Sequence, residues 1–101
     1  MNREQKAILA ATPGRILQME FLDGFQLTQM ELSKRTGIPR STLNEIIKGK
    51  RPISAETALA LGAFFNMDPQ FWSNLQSRYD MRRVQIEKSA QILARVRPLV
   101  A

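Results

Sequence analysis

The sequence contains neither cysteine nor histidine. Without these residues the chain cannot form a disulfide, a Cys/His zinc site, or the Ser-His-Asp and Cys-His arrangements of nucleophilic catalysis. No apolar run approaches the roughly 18 residues of a transmembrane helix, and the apolar run at 7–11 is too short for a secretory signal. We therefore predict a cytoplasmic protein that is not an enzyme and has no metal, no cofactor, no small-molecule substrate and no membrane association.

Positive charge, by contrast, is in excess. The 101 residues include 15 Lys and Arg against 9 Asp and Glu, which gives a formal net charge of +6. The excess is concentrated in two segments, 28–51 and 69–101, each of which carries six basic and two acidic residues. Such clustering favours a polyanionic partner such as a nucleic acid. Charge that serves only solubility is the alternative.

Helix start and stop signals divide the chain into five segments, and no period-two alternation predicts a strand. The starts are marked by Ser, Thr or Asp caps and by proline in the first turn, and several ends are marked by glycine. Proline 98 must end the last helix. The predicted helices are 13–22, 28–36, 39–48, 55–65 and 69–96.

These segments predict an all-α fold with one domain. We place a five-helix DNA-binding domain at 12–83 and the end of an extended C-terminal helix, with a tail, at 84–101. Residues 1–11 are predicted to be a flexible N-terminal segment, and residues 97–101 are also expected to be loose, because termini that nothing ties down are usually poorly ordered.

The second and third predicted helices have the pattern of a helix-turn-helix motif at 28–48. Both are short, each has an apolar face, and a tight turn at Gly37 joins them. In such a pair the second helix can lie in the major groove of DNA while the first crosses the backbone. An ordinary helical hairpin with a solvated face is the alternative.

The outward face of the third helix carries side chains that suit base edges. Arg can bond guanine in a fork, Asn can pair with adenine, Glu can accept from cytosine, and Ser or Thr can serve either way. Residues at the start of the second helix and just beyond the third are placed to hold phosphates. The predicted DNA-contacting residues are Gln29, Arg40, Ser41, Thr42, Asn44, Glu45, Lys48, Lys50 and Arg51.

Two of these expectations remain open on the sequence alone. Glu45 is acidic on a face that would meet phosphates, so it either reads a cytosine or pairs with Lys48 or Arg40. The fifth helix must close the core of the monomer, yet it is also the candidate dimer surface. The residues proposed for that surface are Trp72, Leu75, Tyr79 and Val84.

Residues 12–83 resemble the HigA-type antitoxins, also called the VapI group, of the lambda-repressor-like helix-turn-helix class. The resemblance rests on the motif at 28–48 together with the segment PQFWSNLQSRYD at 69–80. One departure lies inside the motif, where Ser33 stands at a position that is commonly Ala in this family. A small residue is retained there, so the same packing of the two helices is expected.

The resemblance implies a homodimer that binds a pseudo-palindromic operator in double-stranded DNA and represses its own operon. It also implies a toxin partner, commonly a HigB-type mRNA endonuclease, which the protein would neutralise. By position, Gln29 is similar to the backbone-contacting Gln of the family, and Arg40, Ser41, Asn44 and Glu45 align with its base-facing positions. The alternatives are a solitary regulator without a toxin and a protein-interaction module whose helix-turn-helix is vestigial.

Overall fold

The computed structural model describes residues 1–100, and within that range it contains six α-helices and no strand. The helices are α1 (Arg3–Ala10), α2 (Pro13–Ile16), α3 (Gln29–Thr36), α4 (Arg40–Ile47), α5 (Ala55–Phe65) and α6 (Pro69–Arg95). Helix α2 continues directly into a π-helical segment, Leu17–Leu22. The all-α prediction with an extended C-terminal helix is confirmed, although the number of helices is six and not five. No helix in the described range is both long enough and apolar enough to span a bilayer.

The additional helix, α1, lies in the segment 1–11 for which no secondary structure was predicted. It begins with a capping box, in which the Asn2 side chain accepts from the Gln5 N–H at 2.7 Å and the Gln5 side chain accepts from the Asn2 N–H at 3.1 Å. Helix α1 packs on α6, and the Tyr79 hydroxyl donates to the Leu9 carbonyl at 2.9 Å. No residue of α1 is fully buried, so the helix lies on the surface of the domain.

The remaining helices begin and end close to the predicted positions because their caps act locally. Thr28 and Glu31 form the predicted capping box at the start of α3, with hydrogen bonds of 3.1 and 3.3 Å. Gly37 ends α3 with a φ of +78°, a left-handed conformation that glycine adopts at little cost. The side chains of Ser54 and Asp68 cap α5 and α6 as predicted.

Trp72 lies at the centre of the core, with none of its surface exposed. Its ring centroid is 4.7 Å from that of Phe21, so it joins α6 to the π-helical segment, and it is 5.1 Å from that of Phe71 on α6 itself. The other large side chains that are fully buried among the described residues are Leu17, Leu22, Leu32, Leu43, Ile46 and Leu61. The prediction that Trp72 contributes to a dimer surface is therefore wrong, because the monomer's own core encloses it.

Helices α2 and α4 approach each other closely, and this contact fixes the position of α4. A Cβ atom added to Gly14 would lie 1.7 Å from the Ile46 carbonyl oxygen, so the two backbones touch. Within the motif, the Ser33 hydroxyl donates to the Ile38 carbonyl at 2.6 Å. The serine therefore fits between the two helices, as expected, and also bonds the turn that joins them.

Candidate nucleic-acid interface

Helix α4 has one face locked in the core and one face free. Leu43 and Ile46 are buried, which holds the helix against the rest of the domain. Of the predicted DNA-contacting residues on α4 and in the loop that follows, five are exposed, namely Arg40, Ser41, Lys48, Lys50 and Arg51. Thr42, Asn44 and Glu45 are half-buried. The predicted residues thus share one accessible surface, and the core determines its orientation.

The structure brings Gln29 and Asn44 together across the motif. The Asn44 side-chain amide donates to the Gln29 side-chain oxygen at 3.4 Å, a long bond that links the first residue of α3 to the middle of α4. Asn44 needs both its donor and its acceptor to pair with adenine. It must therefore exchange this bond for a base, or else keep it and orient Gln29 towards the DNA backbone.

Glu45 forms an ion pair whose partner was not predicted. Its carboxylate lies 3.0 Å from the Arg51 Nε atom, with side-chain exposures of 44% for Glu45 and 48% for Arg51. One of the two alternatives left open for Glu45 was a pair with Lys48 or Arg40, and the structure shows Arg51 as its partner instead. Gly49, with a φ of +76°, reverses the chain after α4 and brings the following loop back beside the helix. The Lys50 N–H donates to the Glu45 carbonyl at 2.9 Å in the same reversal.

Positive charge remains available beside this ion pair. Lys48 and Lys50 are exposed and form no ion pair within residues 1–100. Arg40 likewise forms no ion pair in that range and lies in the first turn of α4. These three cations, together with Gln29 at the start of α3, lie on the elements that a helix-turn-helix presents to bases and phosphates.

The candidate dimer residues on α6 have separate environments. Leu75 packs against the core, and Tyr79 is half-buried and bonded to α1, so both serve mainly within the chain. Val84 is half-buried and lines a shallow apolar groove beside Met81, whose surface is 60% exposed. Val84 is not among the side chains that pack against the core, and the exposed Met81 beside it was not among the predicted residues.

Comparison with known proteins agrees with this geometry. Residues 20–72 match the family model described as helix-turn-helix. Virulence-associated protein I of Dichelobacter nodosus is 37% identical over 81 residues, which cover 80% of this chain and 75% of that protein. Both matches include the motif at 28–48.

Solved structures extend the similarity to most of the fold. The antitoxin HigA of Pseudomonas aeruginosa, solved with the higBA promoter, is 36% identical with a TM-score of 0.83, over 88% of this chain and 97% of that one. The antitoxin GraA in complex with its operator is 32% identical with a TM-score of 0.83, over 89% of this chain and 91% of that one. The resemblance drawn from the motif and from residues 69–80 is confirmed. This chain belongs to the helix-turn-helix family and, within it, to the HigA/VapI group of lambda-repressor-like DNA-binding regulators, a class without enzymatic activity.

Proposed function

We propose that the protein is a homodimeric, sequence-specific repressor that binds an operator in double-stranded DNA in the cytoplasm. We further propose that it is the antitoxin of a type II toxin-antitoxin system and neutralises a HigB-type mRNA endonuclease. The observation that carries the DNA-binding part is the free face of α4, where Arg40 and Ser41 are exposed on a helix whose opposite face is buried.

The division of labour follows from position on the motif. The N-terminal residues of a recognition helix contact base edges, which assigns that task to Arg40, Ser41 and Thr42. Phosphate contacts fall to Gln29 at the start of α3 and to the basic residues after α4. Two copies would dock about one turn of DNA apart, roughly 34 Å, on a pseudo-palindrome.

The relatives support the same proposal. HigA of Pseudomonas aeruginosa is named as an antitoxin and was solved with a promoter, and GraA is named as an antitoxin in complex with its operator. Similarity over nearly the whole of both proteins supports transferring DNA binding and the antitoxin role together. The toxin part rests on the family alone, because no feature of the described residues identifies a toxin contact.

The DNA-binding part is tested on the DNA immediately upstream of the protein's own gene. The purified protein should give a discrete gel shift at nanomolar concentration that survives about 150 mM salt, as specific complexes do. A random fragment of equal length should give only a weak shift that disappears with salt. Equal, salt-sensitive binding to both fragments would mean that the basic surface acts only by electrostatics, and the operator assignment would fail.

The antitoxin part is tested with the gene adjacent to this one. Co-expression should rescue growth that the adjacent gene alone arrests, and the two products should elute together in size-exclusion chromatography. Messenger RNA should be degraded when the adjacent gene is induced alone and preserved when both are expressed. Specific operator binding combined with no toxic neighbour and no complex would instead identify a solitary regulator.

A further inference from the structure

A cleft lies between the end of α4, which we call the reading helix, and the long helix α6. Its volume is about 180 Å³. A cavity needs roughly 10–15 Å³ to hold one water molecule, so this cleft is large enough for a phosphate group. The residues that line the cleft include Thr12, Gly49, Lys50, Arg51, Gln76 and Arg83. The cleft therefore combines residues of the loop after α4, which is predicted to hold DNA phosphates, with residues of α6, for which no DNA contact was predicted.

Cations outnumber anions around the cleft. Lys50, Arg51 and Arg83 line it together with one carboxylate, that of Asp80. The Asp80 carboxylate accepts a hydrogen bond from the Gln76 amide at 2.9 Å, and Arg51 is paired with Glu45. Lys50 and Arg83 are the two cations with the least compensation, and both border the same opening.

Arg83 is available for an external anion. Its side chain is 51% exposed, and its nearest carboxylate, that of Glu87 one turn further along α6, lies 4.0 Å from the Nε atom. An exposed i,i+4 pair at that distance is weak, since such pairs are worth little in water. An arginine can exchange it for a phosphate, to which its planar guanidinium donates two parallel hydrogen bonds.

We propose that this cleft is a DNA-phosphate site in which Arg83 of α6 and Lys50 of the loop after α4 hold the same stretch of backbone. The proposal rests on the proposed function, because the ligand is the sugar-phosphate backbone of the bound duplex. It adds a third element to the interface beyond the helix-turn-helix. Since α6 also carries Val84, contact at Arg83 would couple the arrangement of two subunits to the path of the DNA.

The adjacent Arg82 provides a matched control. It has the same charge and lies on the same helix, but it lines a different surface with Asn74, Ser77 and Gln85. Replacing either arginine by alanine changes the net charge of the protein equally. At about 150 mM salt the Debye length is roughly 8 Å, so a charge that does not approach the backbone contributes little.

The test measures fluorescence anisotropy of a labelled duplex of about 30 base pairs, long enough for two half-sites one turn apart. Both the DNA upstream of the gene and a random duplex are titrated at several salt concentrations. We expect Arg83→Ala to weaken binding to both duplexes by a similar factor, roughly 3- to 10-fold at ~150 mM salt. The slope of log K against log salt should fall by about 0.9 for each bound chain.

Two further variants complete the test. Arg82→Ala should leave the slope unchanged and alter affinity less than about twofold, and Arg83→Lys should retain most of the wild-type slope because the charge remains. Thermal unfolding of each variant checks that the fold is intact. Arg83→Ala and Arg82→Ala with the same slope and affinity would overturn the proposal.

The random duplex separates this proposal from the proposed function. Phosphate contacts do not depend on base sequence, so the comparison of Arg83 with Arg82 remains decisive even on DNA without an operator. A wild-type protein that binds both duplexes equally would refute operator recognition while leaving the phosphate site standing. Specific operator binding with no effect of Arg83→Ala would support operator recognition and refute the phosphate site.

Discussion

Among the predicted DNA-contacting residues, some already bond other side chains of the protein and others do not. Asn44 is bonded to Gln29, and Glu45 is paired with Arg51. Arg40, in contrast, forms no ion pair within the described residues. DNA therefore has to displace existing partners to engage Asn44 and Glu45, whereas Arg40 can bond a base without losing an ion pair. This difference makes Arg40 the best candidate for the main base contact.

Replacement of Arg40 by alanine should relax specificity at one base position of each half-site. A forked bond to guanine contributes discrimination of about 1–3 kcal/mol, and that amount should be lost only where the guanine is present. Binding to a panel of operator duplexes, each with one base pair changed, measures the effect. Lys88→Ala on α6 serves as a control for the loss of one exposed positive charge.

The same panel of duplexes distinguishes a base contact of Arg40 from a phosphate contact. If Arg40 contacts a base, the variant should bind the wild-type operator and one altered operator equally well. An equal loss on every operator variant and on random DNA would assign Arg40 to the backbone instead, because phosphate contacts carry no sequence information.

Neutralisation of Glu45 should strengthen binding to random DNA. Glu45→Gln removes a negative charge from a surface that meets phosphates and releases Arg51 from its ion pair. We expect a several-fold gain on random duplex and a steeper salt slope, because Arg51 becomes free to neutralise a phosphate. Stability should change by less than about 1 kcal/mol, since both side chains are about half exposed.

The operator distinguishes the two predicted roles of Glu45. If it accepts a hydrogen bond from cytosine, the same variant should lose discrimination at one position by about 1–3 kcal/mol. Unchanged discrimination, together with the gain on random DNA, would leave the pair with Arg51 as its only role. A weaker affinity for random DNA would contradict the electrostatic argument altogether.

At the scale of helices and turns, local signals could be predicted from the sequence and long-range partners could not. The Thr28–Glu31 capping box and Gly37 defined α3 because each acts within a few residues. Helix α1 was missed although Asn2 and Gln5 have the same spacing and chemistry, so its signal was present but was not used.

Two other features, one in the site and one in the core, could not be predicted from the sequence. The partner of Glu45 depends on how Gly49 redirects the chain, and the charges of the neighbouring residues do not reveal that path. The π-helical segment Leu17–Leu22 depends on backbone bonds such as that from the Asp23 N–H to the Gln18 carbonyl at 2.8 Å. Such bonds impose no side-chain pattern.

Two glycine substitutions should have different costs because they fail for different reasons. Gly14→Ala places a methyl group 1.7 Å from the Ile46 carbonyl oxygen, so α2 and α4 must separate. We expect a loss of about 3 kcal/mol or more, at the upper end for overpacking. Gly37→Ala meets no atom within 4 Å and loses only the ease of its positive φ, about 1–2 kcal/mol.

Urea unfolding followed by circular dichroism measures both losses. Each variant is compared with wild type at the same protein concentration, because association would shift the apparent stability. Equal losses for the two variants would mean that α2 can move away from α4 easily, and the orientation of the reading helix would then not depend on this contact.

At the scale of the whole molecule, part of α6 is buried in the monomer core and part is exposed, and only the exposed part is available for a dimer contact. The N-terminal part of α6 is committed to the monomer, because Trp72 is enclosed and Tyr79 is bonded to Leu9. Further along the helix, Val84 and the exposed Met81 line an apolar groove. The predicted dimer contact is therefore expected beyond Tyr79, and aromatic residues at helical spacing misled the prediction because they mark the core equally well.

Introduction of a charge at Val84 should separate the dimer without unfolding the monomer. Val84→Glu would bury a carboxylate against an apolar surface in a dimer but leave it solvated in a monomer. Sedimentation should detect dimers of the wild type and monomers of the variant at the same concentration, with unchanged helical content. Affinity for the full operator should fall by roughly 100-fold or more, because two half-sites would no longer be bound as one unit, while binding to a single half-site should persist.

Gln85→Glu makes the same charge change on a neighbouring exposed position and should remain dimeric. A dimeric Val84→Glu protein would show that Val84 lies outside the dimer interface.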